Sequence, residues 1–272
     1  MILVRHKKIN MRVPFQVEVH QQVVNGMMHI PEKKRFVNKV VIMCYGLNGN
    51  RTEEHRMSVK LGDKLINEGV TFVRFDYRGQ GISCGEMNEV NFASRVEDVG
   101  AVIDFVRGCF NYENIEYYVI GFSDGARIVP QVCINNEKIR TAILWNPIFS
   151  MENSPFMKTN NVSTNENRLI TNITNNKKCY QLYGLPISIE YLRDIRSKKT
   201  AYDEFAGLEC EKICIWGEDD QYSQMYRETM CEKKGVINYI VKGATHLFNG
   251  KIAEDEAMYV TMQYILGEDV HE

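Results

Sequence analysis

Gly121-Phe122-Ser123-Asp124-Gly125 places a serine between two small residues. An apolar run at 117–120 precedes it and a helical run at 126–134 follows. A sharp strand-to-helix turn lifts the serine oxygen clear of a sheet edge, and the flanking glycines tolerate the strained backbone that this needs. The helix start behind the serine offers free N–H groups and the positive end of a dipole. The chemistry this suits is attack on a carbonyl carbon, provided a base takes the hydroxyl proton. His246 is the only histidine between His55 and His271, so it has no local competitor as base. The acidic turn Glu218-Asp219-Asp220 offers the carboxylate that would hold such an imidazole in the right tautomer.

These residues need a frame. Apolar runs at 40–44, 70–75, 117–122, 141–145, 213–216 and 237–241 suit strands buried on both faces. Helical spacing appears between them at 54–68, 92–108 and 253–266. Alternation of this kind predicts an α/β fold with a mostly parallel central sheet and helices on both faces. Residues 13–19 and 22–30 alternate like antiparallel strands at one edge of that sheet, the second interrupted at Asn25-Gly26 and ended by Pro31.

Residues 147–208 break the rhythm. They lack strong strand runs and are rich in Asn and Thr between 160 and 176. They also carry Phe149, Met151, Phe156, Met157, Tyr180, Leu182, Tyr183, Tyr191 and Leu192. A structureless loop of that length does not fit a compact domain, so an inserted cap over 147–208 is expected, with 1–146 and 209–272 forming the core.

Four further motifs complete a pattern. Tyr45-Gly46-Leu47-Asn48-Gly49 follows the first parallel-strand run, Asp76-Tyr77-Arg78-Gly79-Gln80-Gly81-Ile82-Ser83 the next, Gly217-Glu218-Asp219-Asp220 the run at 213–216, and Gly243-Ala244-Thr245-His246 the last. With the serine pentapeptide, they resemble the α/β-hydrolase superfamily over nearly the whole chain. The resemblance implies Ser123 as nucleophile, His246 as base and Asp220, by spacing, as the acid, with Asp219 as the fallback. It also implies an oxyanion hole built from the N–H groups of Leu47 and Asp124. Asp76 and Arg78 read as structural, tying their loop down.

Three departures stand out. Tyr45 replaces the family's usual histidine, which leaves the backbone donor in place and the loop geometry open. Asp124 sets a carboxylate beside a developing oxyanion unless it points away. Pro130 falls seven residues into the nucleophile helix and should kink it.

A serine at the elbow argues for acyl chemistry and against the dehalogenases and epoxide hydrolases of the superfamily, which use Asp there. The segment after Trp145-Asn146-Pro147 resembles the cap of small microbial esterases of the feruloyl and cinnamoyl esterase group. The resemblance implies a carboxylesterase acting on a small to medium acyl group through an acyl-enzyme, without cofactor or metal. A thioesterase or acyltransferase using pantetheine-linked acyl groups, with an acyl carrier protein as partner, is the alternative. A catalytically silent ligand-binding homologue is the second.

The partner that the resemblance implies is a small-molecule ester or thioester. Net charge is −2 and the basic clusters Lys7-Lys8 and Lys33-Lys34-Arg35 are short, which argues against nucleic acid and anionic membranes. No run approaches the roughly 20 apolar residues of a membrane span. The N-terminus lacks an apolar signal-peptide region, and eight scattered cysteines read as reduced thiols, so a cytoplasmic protein is expected. An apolar patch on the cap would suit a homodimer, though no motif predicts one.

Overall fold

The computed structural model describes residues 11–32, 36–110, 114–150, 169–182, 184–196 and 201–268. The two basic clusters, Met151, Phe156, Met157 and Tyr183 lie outside the described residues.

The chain opens with β1 (Met11–Val19) and β2 (Gln22–Ile30), then β3 (Lys39–Cys44), α1 (Met57–Asn67), β4 (Thr71–Phe75), α2 (Phe92–Cys109), β5 (Glu116–Phe122), α3 (Val129–Ile134) and β6 (Ile139–Trp145). A small antiparallel sheet follows, β7 (Leu169–Thr171), β8 (Lys178–Leu182) and β9 (Leu185–Ile187), with α4 (Ile189–Arg196) and α5 (Ala201–Ala206). The chain then returns through β10 (Glu211–Gly217), α6 (Gln224–Cys231), β11 (Val236–Val241) and α7 (Lys251–Leu266). The main sheet has eight strands in the order β1-β2-β4-β3-β5-β6-β10-β11. β1 and β2 pair antiparallel, β2 joins β4 antiparallel, and every pairing from β4 to β11 is parallel.

The period of two in the strands divides the core into two layers. Val40, Ile42 and Cys44 face one layer with α2, α3 and α5, where Val102, Val129 and Phe205 pack. Val41 and Met43 face the other with α1 and α7, where Leu61, Leu65 and Met258 pack. Burial on both faces is why these strands read as continuous apolar runs. α2 starts on a capping box: the Asn91 side chain accepts from Ser94 N at 2.9 Å, and Asn91 N donates to the Ser94 hydroxyl at 3.0 Å. No helix among the described residues is long and apolar enough to cross a membrane.

Four local expectations change. β2 runs unbroken through Asn25-Gly26, because the hairpin turn lies earlier, at His20 and Gln21, both in left-handed backbone (φ 49° and 63°). Gly26 is there for space: a Cβ on it would sit 2.1 Å from the Phe15 ring. α1 starts only at Met57, since Glu53, His55 and Arg56 all hold positive φ. Pro130 kinks nothing. A tight 3₁₀ turn over Ser123–Arg127 follows the serine, the α-helix begins afresh at Val129, and Pro130 falls in its first turn, where a missing N–H costs little.

Residues 147–208 also carry strands. β7 to β9 cover a third apolar cluster in which Ile148, Tyr180, Ile187, Tyr191 and Leu192 meet Met87 and Val90. The ends of the segment pack elsewhere: Phe149, Phe205 and Leu208 belong to the main α2 and α3 layer.

Candidate active site

Ser123 sits directly after β5 with φ 54°, a left-handed conformation that costs a non-glycine residue roughly 1–3 kcal/mol. Close packing holds it there. A Cβ on Gly121 would lie 2.9 Å from the Ala126 Cα, and one on Gly125 would lie 2.3 Å from the Cys44 carbonyl oxygen. The turn is therefore pressed against both the following helix and β3. Gly125→Ala should cost about 1–3 kcal/mol, because the new methyl meets the rigid backbone of β3. Urea denaturation of the purified variant measures that loss.

Ser123 Oγ lies 2.8 Å from His246 Nε2, and His246 Nδ1 lies 2.8 Å from Asp220 Oδ2. The imidazole is held between the Phe122 ring, stacked at 5.6 Å, and the Tyr222 ring, edge-on at 5.2 Å. Asp220 is buried, and its carboxylate also accepts from the Tyr222 N–H at 2.9 Å, from the Ser223 N–H and from the Ser223 hydroxyl. Burial alone would push this carboxyl up. The bond and charge of His246 and the Ser223 and Tyr222 donors outweigh burial and hold it below the usual carboxylate range. Asp219 is exposed, and its backbone N–H bonds the Ala244 carbonyl. Of the two neighbouring carboxylates, Asp220 is therefore the one that meets the histidine.

The loops carrying Asp220 and His246 are joined. Glu218 N donates to the Val241 carbonyl, and Gly243 N donates to the Glu218 carboxylate at 2.9 Å. A Cβ on Gly217 would lie 2.4 Å from the Ala244 carbonyl oxygen. Asn146, at the end of β6, completes the staple. Its amide donates to the Thr245 and His246 carbonyls at 3.2 and 2.9 Å, and its oxygen accepts from Gly217 N at 2.6 Å. In the sequence, Asn146 marks only the start of the segment that breaks the rhythm. Its φ of 42° at a strand end was the available signal, and that is visible only in three dimensions.

Leu47 lines the pocket above the serine, and Gly46 passes close enough that a Cβ there would lie 2.9 Å from the Ser123 Cβ. Tyr45 is buried, its hydroxyl accepts from Tyr77 N at 2.9 Å, and its ring packs on Tyr77 at 4.5 Å. The tyrosine thus ties the Gly46-Leu47 loop to the end of β4. Asp124 directs its carboxylate away from the serine into a buried cluster with Arg95, Arg127 and Tyr191. Asp76 and Arg78 do the structural work expected of them. Asp76 accepts from the N–H groups of Arg51 (2.8 Å) and Ile82 (3.1 Å), while Arg78 pairs with Asp98 (2.5 Å) and Glu97 (2.8 Å).

The pocket over Ser123 encloses about 390 Å³ between Leu47, Phe122, Ile148, Tyr222, Leu247 and the carboxyl-bearing Glu53. Its size is that of a site for a small organic molecule. Among the described residues, no group of three or more His, Cys, Asp or Glu is placed to hold a metal ion.

The sheet order, the serine elbow and the three linked side chains define an α/β hydrolase of the serine-hydrolase type. The chain belongs to the family described as serine aminopeptidase, S33, whose model matches residues 37–200, more than half of its 272 residues. Among solved structures it is similar to Est1E from Butyrivibrio proteoclasticus bound to ferulic acid, at 16% identity and a TM-score of 0.71, covering 93% of this chain and 100% of that one. It is also similar to an esterase from Pyrococcus furiosus, at 16% identity and a TM-score of 0.70, covering 95% and 92%. A third is the α/β hydrolase GrgF from Penicillium sp. sh18, at 14% identity and a TM-score of 0.71, covering 95% and 99%. At these identities the likeness is one of fold. No curated protein sequence matches the chain.

Proposed function

We propose that the protein is a serine carboxylesterase that cleaves esters of a small to medium acyl group through an acyl-enzyme. The observation that carries this reading is the unbroken Ser123–His246–Asp220 relay at 2.8 Å and 2.8 Å, opening into a 390 Å³ pocket. Ser123 Oγ adds to the ester carbonyl as its proton passes to His246 Nε2. Asp220 holds the Nδ1 proton and balances the imidazolium. The oxyanion is taken by the N–H groups of Leu47 and Asp124, each such donor being typically worth ~3 kcal/mol of barrier. Collapse of the intermediate expels the alcohol with the proton from His246. A water, deprotonated by His246, then attacks the acyl-enzyme and frees the acid and Ser123.

Phe122, Ile148, Tyr222 and Leu247 supply apolar and aromatic walls that suit an acyl chain or an aryl group. The ferulic acid held by the Butyrivibrio neighbour makes an aromatic acyl group the first to try. Residues 147–208 serve in this reading as the cap that closes the pocket.

A fluorophosphonate probe and intact mass test the chemistry. One adduct, mapped to Ser123 and absent from Ser123→Ala, is the expected result. Parallel turnover of p-nitrophenyl esters, hydroxycinnamate esters and acyl-pantetheine thioesters names the leaving group. Preference for the thioesters would replace the esterase by a thioesterase. A wild-type protein with neither adduct nor turnover would leave a ligand-binding homologue.

A further inference from the structure

Arg95 lies outside the pocket, on α2, and is buried at 2% exposure. Its Nη1 donates to Asp124 Oδ2 at 2.6 Å and to the Tyr191 hydroxyl at 3.0 Å. Its Nη2 donates to the Tyr45 carbonyl at 2.5 Å, and the guanidinium lies 4.5 Å over the Tyr77 ring. Asp124 accepts in addition from Arg127 at 3.2 Å and from the Tyr191 hydroxyl.

A buried ion pair is a poor device for stability, since a well-packed apolar replacement often does as well or better. What sets this one apart is where it is anchored. Tyr45 precedes Gly46-Leu47, whose second N–H is one oxyanion donor, and Asp124 carries the other donor on its own backbone. Gly46 brings no side chain to hold its loop, and the Asp124 turn follows a residue in strained backbone. Arg95 reaches both at once, from a helix that contributes nothing else to the site.

We propose that Arg95 is a positioning residue that sets the two oxyanion donors relative to each other, and that Tyr191 makes this setting depend on how α4 is seated over the site. The proposal rests on the reading of Ser123 as nucleophile with Leu47 and Asp124 as donors. A displacement of about 1 Å at such a site can cost 10²-fold in rate without touching the substrate's ground state. A lysine at 95 presents one point charge and cannot bridge acceptors on three segments as the guanidinium fork does.

The test compares wild type with Arg95→Lys and Tyr191→Phe. Fluorophosphonate titration first counts reactive serines in each. kcat and KM for p-nitrophenyl butyrate are then measured per reactive site, together with the inhibition constant of the matching trifluoromethyl ketone. Ser123 adds to that ketone, His246 keeps the proton, and the resulting oxyanion occupies the hole. For Arg95→Lys the expected result is kcat down about 100-fold, KM within roughly 3-fold, and ketone affinity lost in parallel with kcat/KM. Tyr191→Phe should show the same pattern at about 10-fold. It removes a single hydroxyl, so it decides the matter should Arg95→Lys fail to fold.

Unchanged kcat per reactive site, or a loss confined to KM with ketone binding intact, would show that the pair only holds the fold. An unreactive wild type removes this proposal together with the esterase reading. A reactive wild type with unaffected variants removes this proposal alone.

Discussion

Asp220→Asn is expected to lower kcat/KM for an activated ester by about 10⁴-fold, the loss seen when a triad acid becomes an amide. The hydrogen bonds say why. Asp220 Oδ1 already accepts from two backbone N–H groups, those of Tyr222 and Ser223. An asparagine oxygen must stay there, so its amide nitrogen takes the Oδ2 position, which faces His246 Nδ1. An N–H pointing at Nδ1 forces the proton onto Nε2, the nitrogen 2.8 Å from Ser123 Oγ. A protonated Nε2 cannot take the serine proton, and the nucleophile loses its base. The neighbouring Asp219→Asn is a control, because Asp219 is exposed and should change kcat/KM by less than about 2-fold. Steady-state kinetics of both variants, with the low-field imidazole N–H resonance followed by proton NMR, separates the two cases. Equal effects at 219 and 220 would mean that the acidic turn acts only through its charge.

Glu53→Gln is expected to stabilise the protein at pH 8 and to change little near pH 5. Glu53 is buried in the pocket wall, and its Oε1 has no partner among the described residues. Burial, helped by the charge of Glu54 and opposed by Arg95, pushes its carboxyl from an ordinary 4.5 up to about 8. The sign follows from proton counts. Between pH 4.5 and 8 the unfolded chain has released this proton and the folded chain still holds it. Stability therefore falls as pH rises, by about 1.4 kcal/mol per pH unit. By pH 8 the accumulated cost is about 4 kcal/mol. Glutamine keeps the shape and cannot ionise in either state. The Tm difference between variant and wild type should grow from near zero at pH 5 to roughly 5–10 °C at pH 8. A difference independent of pH would show that Glu53 is ionised in the folded protein. The same residue holds φ 56° and ψ 170°, a backbone region that costs a non-glycine residue about 1–3 kcal/mol. The wall beside Ser123 is thus kept in an unfavourable state twice over.

How much of this was legible in the sequence depended on the range of the interaction. The parallel strands were readable because burial on both faces leaves unbroken apolar runs, as in Val40 to Cys44. Ser123 was readable because its strain calls for small neighbours at fixed positions. His246 and Asp220 were readable because each ends a strand run on a glycine-led loop. The β7–β9 sheet escaped notice: its strands span three, five and three residues, too few to set up a period of two. The break expected at Asn25-Gly26 failed because the ring of Phe15, on the neighbouring strand, decides that position. Nor could the direction of Asp124 be read, since its partners Arg95 and Tyr191 lie 29 and 67 positions away. The Asn146 staple is hidden for the same reason, as its acceptors are about a hundred residues distant.

Ser123 and His246 are 123 positions apart. A ribosome adding about 5–20 residues per second makes the serine roughly 6 to 25 s before it makes the histidine. β5 and β6 thus leave the exit tunnel before β10 and β11 exist, and the staple from Asn146 has nothing to grip until then. A serine hydroxyl without its base is a weak nucleophile. On the proposed esterase reading, the half-built chain therefore carries a harmless serine during synthesis, and a product of stalled translation, ending anywhere before residue 246, has no means of attacking the esters around it.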